Sequence, residues 1–162
     1  MNRDVASDAA AAIAQIPNAL FLLTSQYEGR RAAVLVKWVQ QCCDQPPMVM
    51  VALARVQMIE PVIRDSRMFA LCQISANDRF LMRKFSQPGD VHEDALVSLL
   101  TSTAPSGSPI IDRAMCYLDC EVVRHIELDG DHRIYVGQVL SGAVLNRNGD
   151  PSNGLGTNGS RR

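Results

Sequence analysis

Residues 115–144 read MCYLDCEVVRHIELDGDHRIYVGQVLSGAV, and this stretch decides the fold class. Two runs rich in apolar and β-branched residues, Met115–Ile126 and Arg133–Val144, are each long enough to form an extended strand. Between them lies Leu128–Asp131, whose sequence LDGD holds the Asp and Gly residues that are typical of a turn. The stretch therefore predicts a long antiparallel β-hairpin.

Apolar runs of strand length recur upstream of this hairpin. Leu20–Tyr27 and Ala32–Val39 flank Glu28-Gly29-Arg30, which predicts a second hairpin with its turn at the glycine. Met48–Leu53 and Phe69–Ile74 are two further strand candidates. Antiparallel strands joined by tight turns favour a closed or split β-barrel over a parallel βαβ arrangement.

The predicted helices are short and few. The spacing of apolar residues marks helices at 4–15, Ile59–Asp65 and Arg79–Phe85, with a further one near Asp94–Leu100. This last helix interrupts residues 86–109, a long irregular connection that is rich in proline and glycine. We therefore expect a mostly β fold with a few short peripheral helices.

The composition changes after residue 145. Residues 146–162 hold four of the ten glycines and four asparagines but almost no apolar side chains. Burial cannot offset the entropy of ordering such a segment. We therefore expect one domain over residues 1–145 and a disordered polar tail over residues 146–162.

Charge and hydropathy exclude several classes of protein. Sixteen basic side chains against seventeen acidic ones give a net charge of −1, so no positive excess points to nucleic acid. No apolar run approaches the roughly 20 residues that cross a bilayer, so no membrane partner is expected. The first residues contain acids and lack a leucine-rich core, which disfavours a secretory leader and favours a cytoplasmic location.

The five cysteines indicate reduced thiols rather than disulfides or a metal centre. An odd number cannot pair completely within one chain, and their spacing matches no zinc pattern. The three histidines are scattered as well, without ligand spacing to cysteines or carboxylates. We expect no metal site, and we expect most of the cysteines to be small buried apolar residues.

Lys37 and Trp38 stand out within an otherwise apolar strand candidate. One interpretation is an edge strand on which the lysine prevents edge-to-edge pairing with another sheet. The other is a binding site, in which Lys37 attracts an anion and Trp38 forms a flat apolar wall. That combination suits a ligand with an aromatic body and a phosphate group.

Two more basic residues lie at the ends of predicted elements. Arg55 directly follows the apolar run that begins at Met48, and Arg83 stands near the end of a predicted helix, two residues before Phe85. Together with Lys37 they predict a phosphate site, although each alone is typical of a solvated surface charge.

Three stretches occur in an order found in one known family. The first, Ala33–Pro47 (AVLVKWVQQCCDQPP), is similar to a flavin-binding strand and loop that closes with the same Pro-Pro. The second, Leu81–Phe85 (LMRKF), is similar to a helix that precedes a variable loop. The third, Gly130–Val139 (GDHRIYVGQV), is similar to a final hairpin. From Ile16 to Val144 the chain resembles the flavin reductase-like, FMN-binding split-barrel family. It resembles in particular the flavin reductase domain at the C-terminus of cyanobacterial flavodiiron proteins and flavoredoxin-like stand-alone proteins.

The resemblance implies a Greek-key split barrel that binds FMN at a homodimer interface and reduces it with NADH or NADPH. It implies a catalytic role for His132, which would donate a hydrogen bond or hold the nicotinamide; the alternative is an exposed turn histidine. Backbone N–H groups of Val36–Val39 would bond the polar edge of the flavin ring. The implied cofactor contacts are Leu35, Val36, Lys37, Trp38, Val39, Cys43, Arg55, Gln57, Ile59, Arg83 and Phe85.

The chain departs from the family pattern where the family usually places small hydroxyl residues. Leu35, Val36, Lys37 and Gln40 occupy these positions in the strand and loop, and Arg55-Val56-Gln57 follows the next strand. Charge-assisted contacts would have to replace the hydroxyl contacts to phosphate. Two alternatives to a reductase therefore stay open: a non-enzymatic FMN-binding electron carrier with a protein electron-transfer partner, and a barrel that has lost its flavin.

Overall fold

The computed structural model describes residues 3–86 and 94–146 of the chain. Strands dominate this part, and the helices are short. In chain order the elements are α1 (Arg3–Ile13), β1 (Phe21–Tyr27), β2 (Arg30–Val36), β3 (Val39–Cys43), β4 (Met48–Ala54), α2 (Ile59–Ser66), β5 (Met68–Gln73), α3 (Arg79–Ser86), β6 (Thr101–Thr103), β7 (Pro109–Ile111), β8 (Cys116–Glu127) and β9 (His132–Val144).

The main sheet curls into a barrel that stays open along one gap. It is antiparallel and has the strand order β2-β1-β5-β8-β9-β4-β3, so β2 and β3 are its two edges. Only Lys37 and Trp38 separate these edges in the chain. Because the three Cα–Cα steps from Val36 to Val39 span at most about 11 Å, the sheet must curl until these edges lie close together. The edges are not hydrogen-bonded neighbours in the strand order, so the barrel is split along a gap between β2 and the β3–β4 edge, which we call the seam.

Alternation along β4 shows how the barrel is filled. Val49, Val51 and Leu53 point inward and are almost completely buried, whereas the residues between them are half-buried. The same interior core holds Phe69 of β5 and Tyr135 of β9. A period of two is what a strand with one buried face requires.

Both predicted hairpins are present. β8 and β9 pair along their length, and the residues between them form the predicted turn. β1 and β2 are joined through Glu28 and Gly29, whose φ angles of 48° and 76° are both positive. Two successive positive φ angles define the tight turn that matches the twist of paired strands, and glycine adopts such angles readily. The predicted mostly β, antiparallel split barrel with short peripheral helices is therefore confirmed.

A second apolar core lies against the other face of the sheet. Leu22 of β1 and Cys72 of β5 pack with Leu81 of α3 and with Ile110 and Ile111 of β7. α3 also contacts β2, the edge strand. The second core thus holds α3 beside the seam.

Asp119 on β8 fastens the loop between β6 and β7 to the barrel. Its side chain is fully buried, and its carboxylate accepts hydrogen bonds from the Ser106 backbone N–H at 3.0 Å and from the Ser106 hydroxyl at 2.5 Å. Removing the carboxylate would leave both donors without this acceptor.

We therefore expect Asp119→Ala to lower the free energy of unfolding by about 2 kcal/mol, because two half-buried donors of Ser106 lose a buried carboxylate acceptor. Urea unfolding followed by circular dichroism measures the change. Asp129→Ala, at an exposed position in the β8–β9 turn, is the control and should stay within about 0.5 kcal/mol of the wild type. Equal stability of the two variants would contradict the role assigned to Asp119.

Two predicted elements differ from the structure. The strand predicted over Ala32–Val39 ends at Val36, because the chain crosses the seam at Lys37 and Trp38 before β3 begins. The helix predicted near Asp94–Leu100 is a set of turns, in which the Asp94 carboxylate accepts a hydrogen bond from the Leu96 N–H at 2.9 Å. Such a side-chain bond competes with helix formation. The predicted tail, apart from Asn146, lies outside the described residues.

Burial of the cysteines is less complete than predicted. Cys72 and Cys120 are fully buried, and burial raises the pKa of each thiol to about 12. Cys43 and Cys116 are half-buried, and Cys42 is exposed. Two of the five cysteines are buried, so the prediction that most of them are buried is wrong. Cys42 and Cys43 lie at the end of the edge strand β3, and Cys116 begins β8. Across the described ranges, none of the helices is both long and apolar enough to cross a membrane.

Candidate functional site

A cleft of about 340 Å³ opens at the seam, beside the C-terminal end of α3. Leu35 and Val36 of β2 and Phe85 of α3 give it apolar walls, and the small side chains of Ala52 and Ala54 line it from β4. Its volume lies within the roughly 300–1,000 Å³ that is typical of sites for small molecules. The seam thus provides a space for a ligand, and a fully closed barrel would have no such space.

Two aromatic rings and one cation stand at this cleft. The ring centroids of Trp38 and His132 lie 4.7 Å apart, and the Lys37 ammonium lies 5.3 Å from the centroid of the Trp38 ring. Among the described residues that line the cleft, Lys37 is the one permanent cation. Flat apolar surface next to a positive charge suits a planar ring system with an anionic group.

β4 holds these groups in place. The Trp38 carbonyl accepts a hydrogen bond from the Ala52 N–H at 2.9 Å, which anchors the chain where it crosses the seam. Ala54 pairs with His132 in the register between β4 and β9. The crossing residues and the start of β9 therefore meet over the same end of β4.

His132 is paired with its neighbour Asp131. Nδ1 of the imidazole lies 2.7 Å from Oδ1 of Asp131, and this interaction lowers the pKa of the carboxyl below its usual value. An ionised carboxylate only accepts hydrogen bonds, so Nδ1 of His132 must be the donor. Nε2 is then the ring nitrogen left to interact with a ligand.

Most of the predicted site residues line this one cleft, although they are far apart in the sequence. They are Leu35, Val36, Lys37, Trp38, Gln57, Phe85 and His132.

Arg55 lies outside the lining of the cleft. Its Nε donates to the Gly130 carbonyl at 2.7 Å, and its Nη2 donates to the Leu128 carbonyl at 2.6 Å. The same Nη2 lies 3.0 Å from a carboxylate oxygen of Glu127. The guanidinium is thus bound to the β8–β9 turn rather than directed at the cleft, where the sequence predicted a phosphate contact.

The other predicted cofactor contacts also lie outside the lining residues. The side chains of Val39 and Ile59 pack in or against the interior core of the barrel. Cys43 ends β3 at the opposite end from the crossing. Arg83 is not among the residues that line the cleft, but its backbone carbonyl accepts a hydrogen bond at 3.1 Å from the hydroxyl of Ser86, which does line it. Their predicted contacts therefore gain no support from the positions of these side chains.

Several lining residues were missed by the sequence reasoning. Ala52 and Ala54 leave space for a ligand, and Ser86 adds a hydroxyl group at the end of α3. The available signal was the alternation within Met48–Ala54, which places both alanines on one face of the strand, next to Arg55. Small residues on the outer face of a strand end indicate a cavity or a close contact.

A second cleft, of about 390 Å³, lies between α2 and the β8–β9 hairpin, and Gln57 lines both clefts. Two of its three arginines are paired with carboxylates, since Arg133 lies 2.9 Å from Glu60 and Arg64 lies 3.0 Å from Asp65. The third, Arg67, donates to the Val122 carbonyl at 3.0 Å. Within residues 3–86 and 94–146, the His, Cys and acidic side chains form no cluster that could hold a metal ion.

Comparison with known proteins identifies the family. The model of the flavin reductase like domain matches residues 13–156. Diflavin flavoprotein A 1 of Synechocystis sp. is 34% identical over 144 residues, which are 88% of this chain and 25% of that protein. The chain thus spans about a quarter of the length of this curated relative.

Solved structures show the same fold. An NADH:FAD oxidoreductase from Streptomyces globisporus, SgcE6, has a TM-score of 0.80 at 17% identity, with 93% of this chain and 89% of that chain covered. The flavin reductase HpaC, complexed with NADP+, has a TM-score of 0.75 at 20% identity, with 90% of each chain covered. The split barrel with a cleft at its seam, and the family match over most of the sequence, lead to one conclusion: this chain belongs to the flavin reductase-like domain family, a family of flavin-related oxidoreductases.

Proposed function

We propose that the cleft at the seam binds FMN and that the protein transfers hydride from NADH or NADPH to the bound flavin. One observation carries this proposal: the fold brings Trp38, His132 and Lys37 together at an apolar cleft. Two proteins of similar structure are an NADH:FAD oxidoreductase and a flavin reductase complexed with NADP+, which supports the same class of reaction.

The residues present fit this cofactor. FMN combines a planar ring with a phosphate, and the cleft combines apolar and aromatic surface with the Lys37 ammonium. Bound FMN would supply the acceptor for a hydride, that is one proton together with two electrons, and loss of this hydride would oxidise the nicotinamide. The protein supplies binding, orientation and electrostatics.

Each group in the cleft has a proposed role. Backbone N–H groups of Val36–Val39 bond the polar edge of the ring, where negative charge accumulates on reduction. Trp38 forms one wall, Lys37 holds the phosphate, and Gln57 adds an amide at the same cleft. Nε2 of His132 donates or accepts a hydrogen bond that orients the nicotinamide. Hydride transfer between two bound rings requires no acid or base from the protein.

We also propose that the active form is a homodimer. Val56 and Met58 are 93% and 52% exposed, and Leu128 is 41% exposed, close to the same β8–β9 turn that Arg55 binds. Apolar surface of this kind is typical of interfaces. A second copy would cover this apolar surface. Light scattering of the purified protein should give a dimer mass, and a monomer mass at the concentration used for binding would refute the dimer.

Anaerobic absorbance spectra test the reductase proposal. The purified protein is titrated with FMN and then with NADH or NADPH, and we expect a perturbed flavin spectrum that bleaches with one of the two nucleotides. A bound flavin that stays oxidised with both, yet is reduced by a protein donor, would instead support an electron carrier. An unperturbed spectrum would mean that the barrel has lost its cofactor.

The free cysteines of the chain suit a reducing compartment such as the cytoplasm.

A further inference from the structure

We propose that Arg55 is a positioning residue, which holds the β8–β9 turn so that Asp131 and His132 present the imidazole to the cleft. The catalytic consequence rests on the proposed function. The positioning itself is a property of the protein without ligand and is testable without flavin.

Arg55 binds the turn from both its side chain and its backbone. The guanidinium donates to the carbonyl oxygens of Gly130 and Leu128, at 2.7 and 2.6 Å, and forms an ion pair with Glu127 at 3.0 Å. The backbone N–H of Arg55 donates to the Asp131 carbonyl at 2.9 Å. One residue at the end of β4 thus contacts nearly every residue of the turn.

The carbonyl contacts distinguish this arrangement from an ordinary surface ion pair. An exposed ion pair by itself contributes little, since both side chains move and solvent screens them. Two backbone carbonyls bound by one planar guanidinium restrict the backbone of the turn itself. A lysine ammonium is a compact donor on a flexible stem, so it cannot bind both carbonyls with the fixed geometry of the guanidinium.

The position of the turn determines where the imidazole lies. Asp131 precedes His132 directly, and its Oδ1 lies 2.7 Å from Nδ1 of the ring. The Asp131 side chain is 94% exposed, so the backbone of the turn, rather than packing, fixes the carboxylate. If the turn moves, His132 loses its Nδ1 partner and is free to rotate away from Trp38, whose ring is 4.7 Å distant.

Trp38 provides the readout because it is the only tryptophan in the chain. Its indole N–H gives one signal in a proton–nitrogen NMR spectrum of the ligand-free protein, and the adjacent His132 ring affects its chemical shift. The variants are Arg55→Ala, Arg55→Lys and His132→Gln, with Arg64→Ala as the control. Arg64 is likewise an arginine in an ion pair, with Asp65 at 3.0 Å, but it stands on α2 rather than at the end of β4.

We expect Arg55→Ala and Arg55→Lys to move the Trp38 signal in the same direction as His132→Gln, while Arg64→Ala leaves it in place. Thermal unfolding of each variant verifies that it is folded. An unmoved Trp38 signal in folded Arg55→Ala would overturn the positioning role. A wild-type Trp38 signal in Arg55→Lys would overturn the requirement for a guanidinium at this position.

The flavin-loaded protein gives the second readout. We expect Arg55→Ala to lower kcat about 10-fold and to change the Kd for FMN less than about 2-fold, because misplacement of an orienting group affects turnover more than cofactor affinity. A large rise in Kd with kcat unchanged would overturn the proposal in favour of a direct phosphate contact. If the protein binds no FMN, the proposed function fails, whereas the Trp38 signal still decides the positioning.

Discussion

Replacing Lys37 with alanine is expected to weaken FMN binding by about 1.5–3 kcal/mol, which corresponds to a rise in Kd of roughly 10-fold to 150-fold. Lys37 is the one permanent cation among the described residues that line the cleft, and hydrogen bonds to charged groups are stronger than neutral ones. The neighbouring lining residues Leu35 and Val36 are apolar and offer no side-chain hydrogen bond to a phosphate, so they do not compensate the loss. Titration of FMN, followed by flavin fluorescence, gives the Kd.

Lys84→Ala is the matched control for this change. Lys84 also lies near an aromatic ring, with its ammonium 6.0 Å from the centroid of Phe85, but it does not line the cleft. Both variants lose one positive charge, so a general electrostatic effect would weaken binding equally in both. An unchanged Kd in Lys37→Ala would contradict the phosphate role of Lys37.

Gly137→Ala should destabilise the protein by about 3 kcal/mol, the upper end of what overpacking a rigid core costs. A β-carbon at this position of β9 would lie 2.5 Å from Cζ of Phe69 and 2.8 Å from Cβ of Cys120. Both neighbours are fully buried, so neither has open space to move into. We expect the midpoint of thermal unfolding to fall by about 6–12 °C.

Gly130→Ala tests whether the effect comes from the core rather than from the loss of a glycine. Nothing lies within 4 Å of a β-carbon at Gly130, and its φ is not positive. The substitution also keeps the carbonyl that Arg55 binds. We expect its unfolding midpoint to stay close to that of the wild type. A Gly137→Ala protein of wild-type stability would mean that the barrel interior is looser than the structure indicates.

The predictable parts of the fold are those with local signals. The β8–β9 hairpin combines two long alternating runs with an Asp-Gly turn, and the β1–β2 hairpin has Gly29 where a positive φ is required. The break in Ala32–Val39 has no comparable signal, since the residues on both sides of Lys37 are apolar. It arises because this segment joins the two edges of a sheet, and that depends on the whole strand order.

The same limit applies to the candidate site. Lys37, Trp38 and His132 were identified by residue type, and they meet because Ala54 pairs with His132 across β4 and β9. Arg55 was assigned to the phosphate because it is a cation at a strand end. Its actual partners, Leu128 and Gly130, are 73 and 75 residues further along the chain, and only the register of the barrel brings them into contact.

Fluorescence of Trp38 during titration with FMN tests whether the seam is the flavin site. The chain has one tryptophan, and it stands at the cleft, so any change in emission comes from that place. We predict saturable quenching with one FMN bound per chain, and a Kd that rises in Lys37→Ala but not in Lys84→Ala. Unquenched Trp38 emission at saturating FMN, or quenching that is identical in both variants, would contradict a flavin site at the seam.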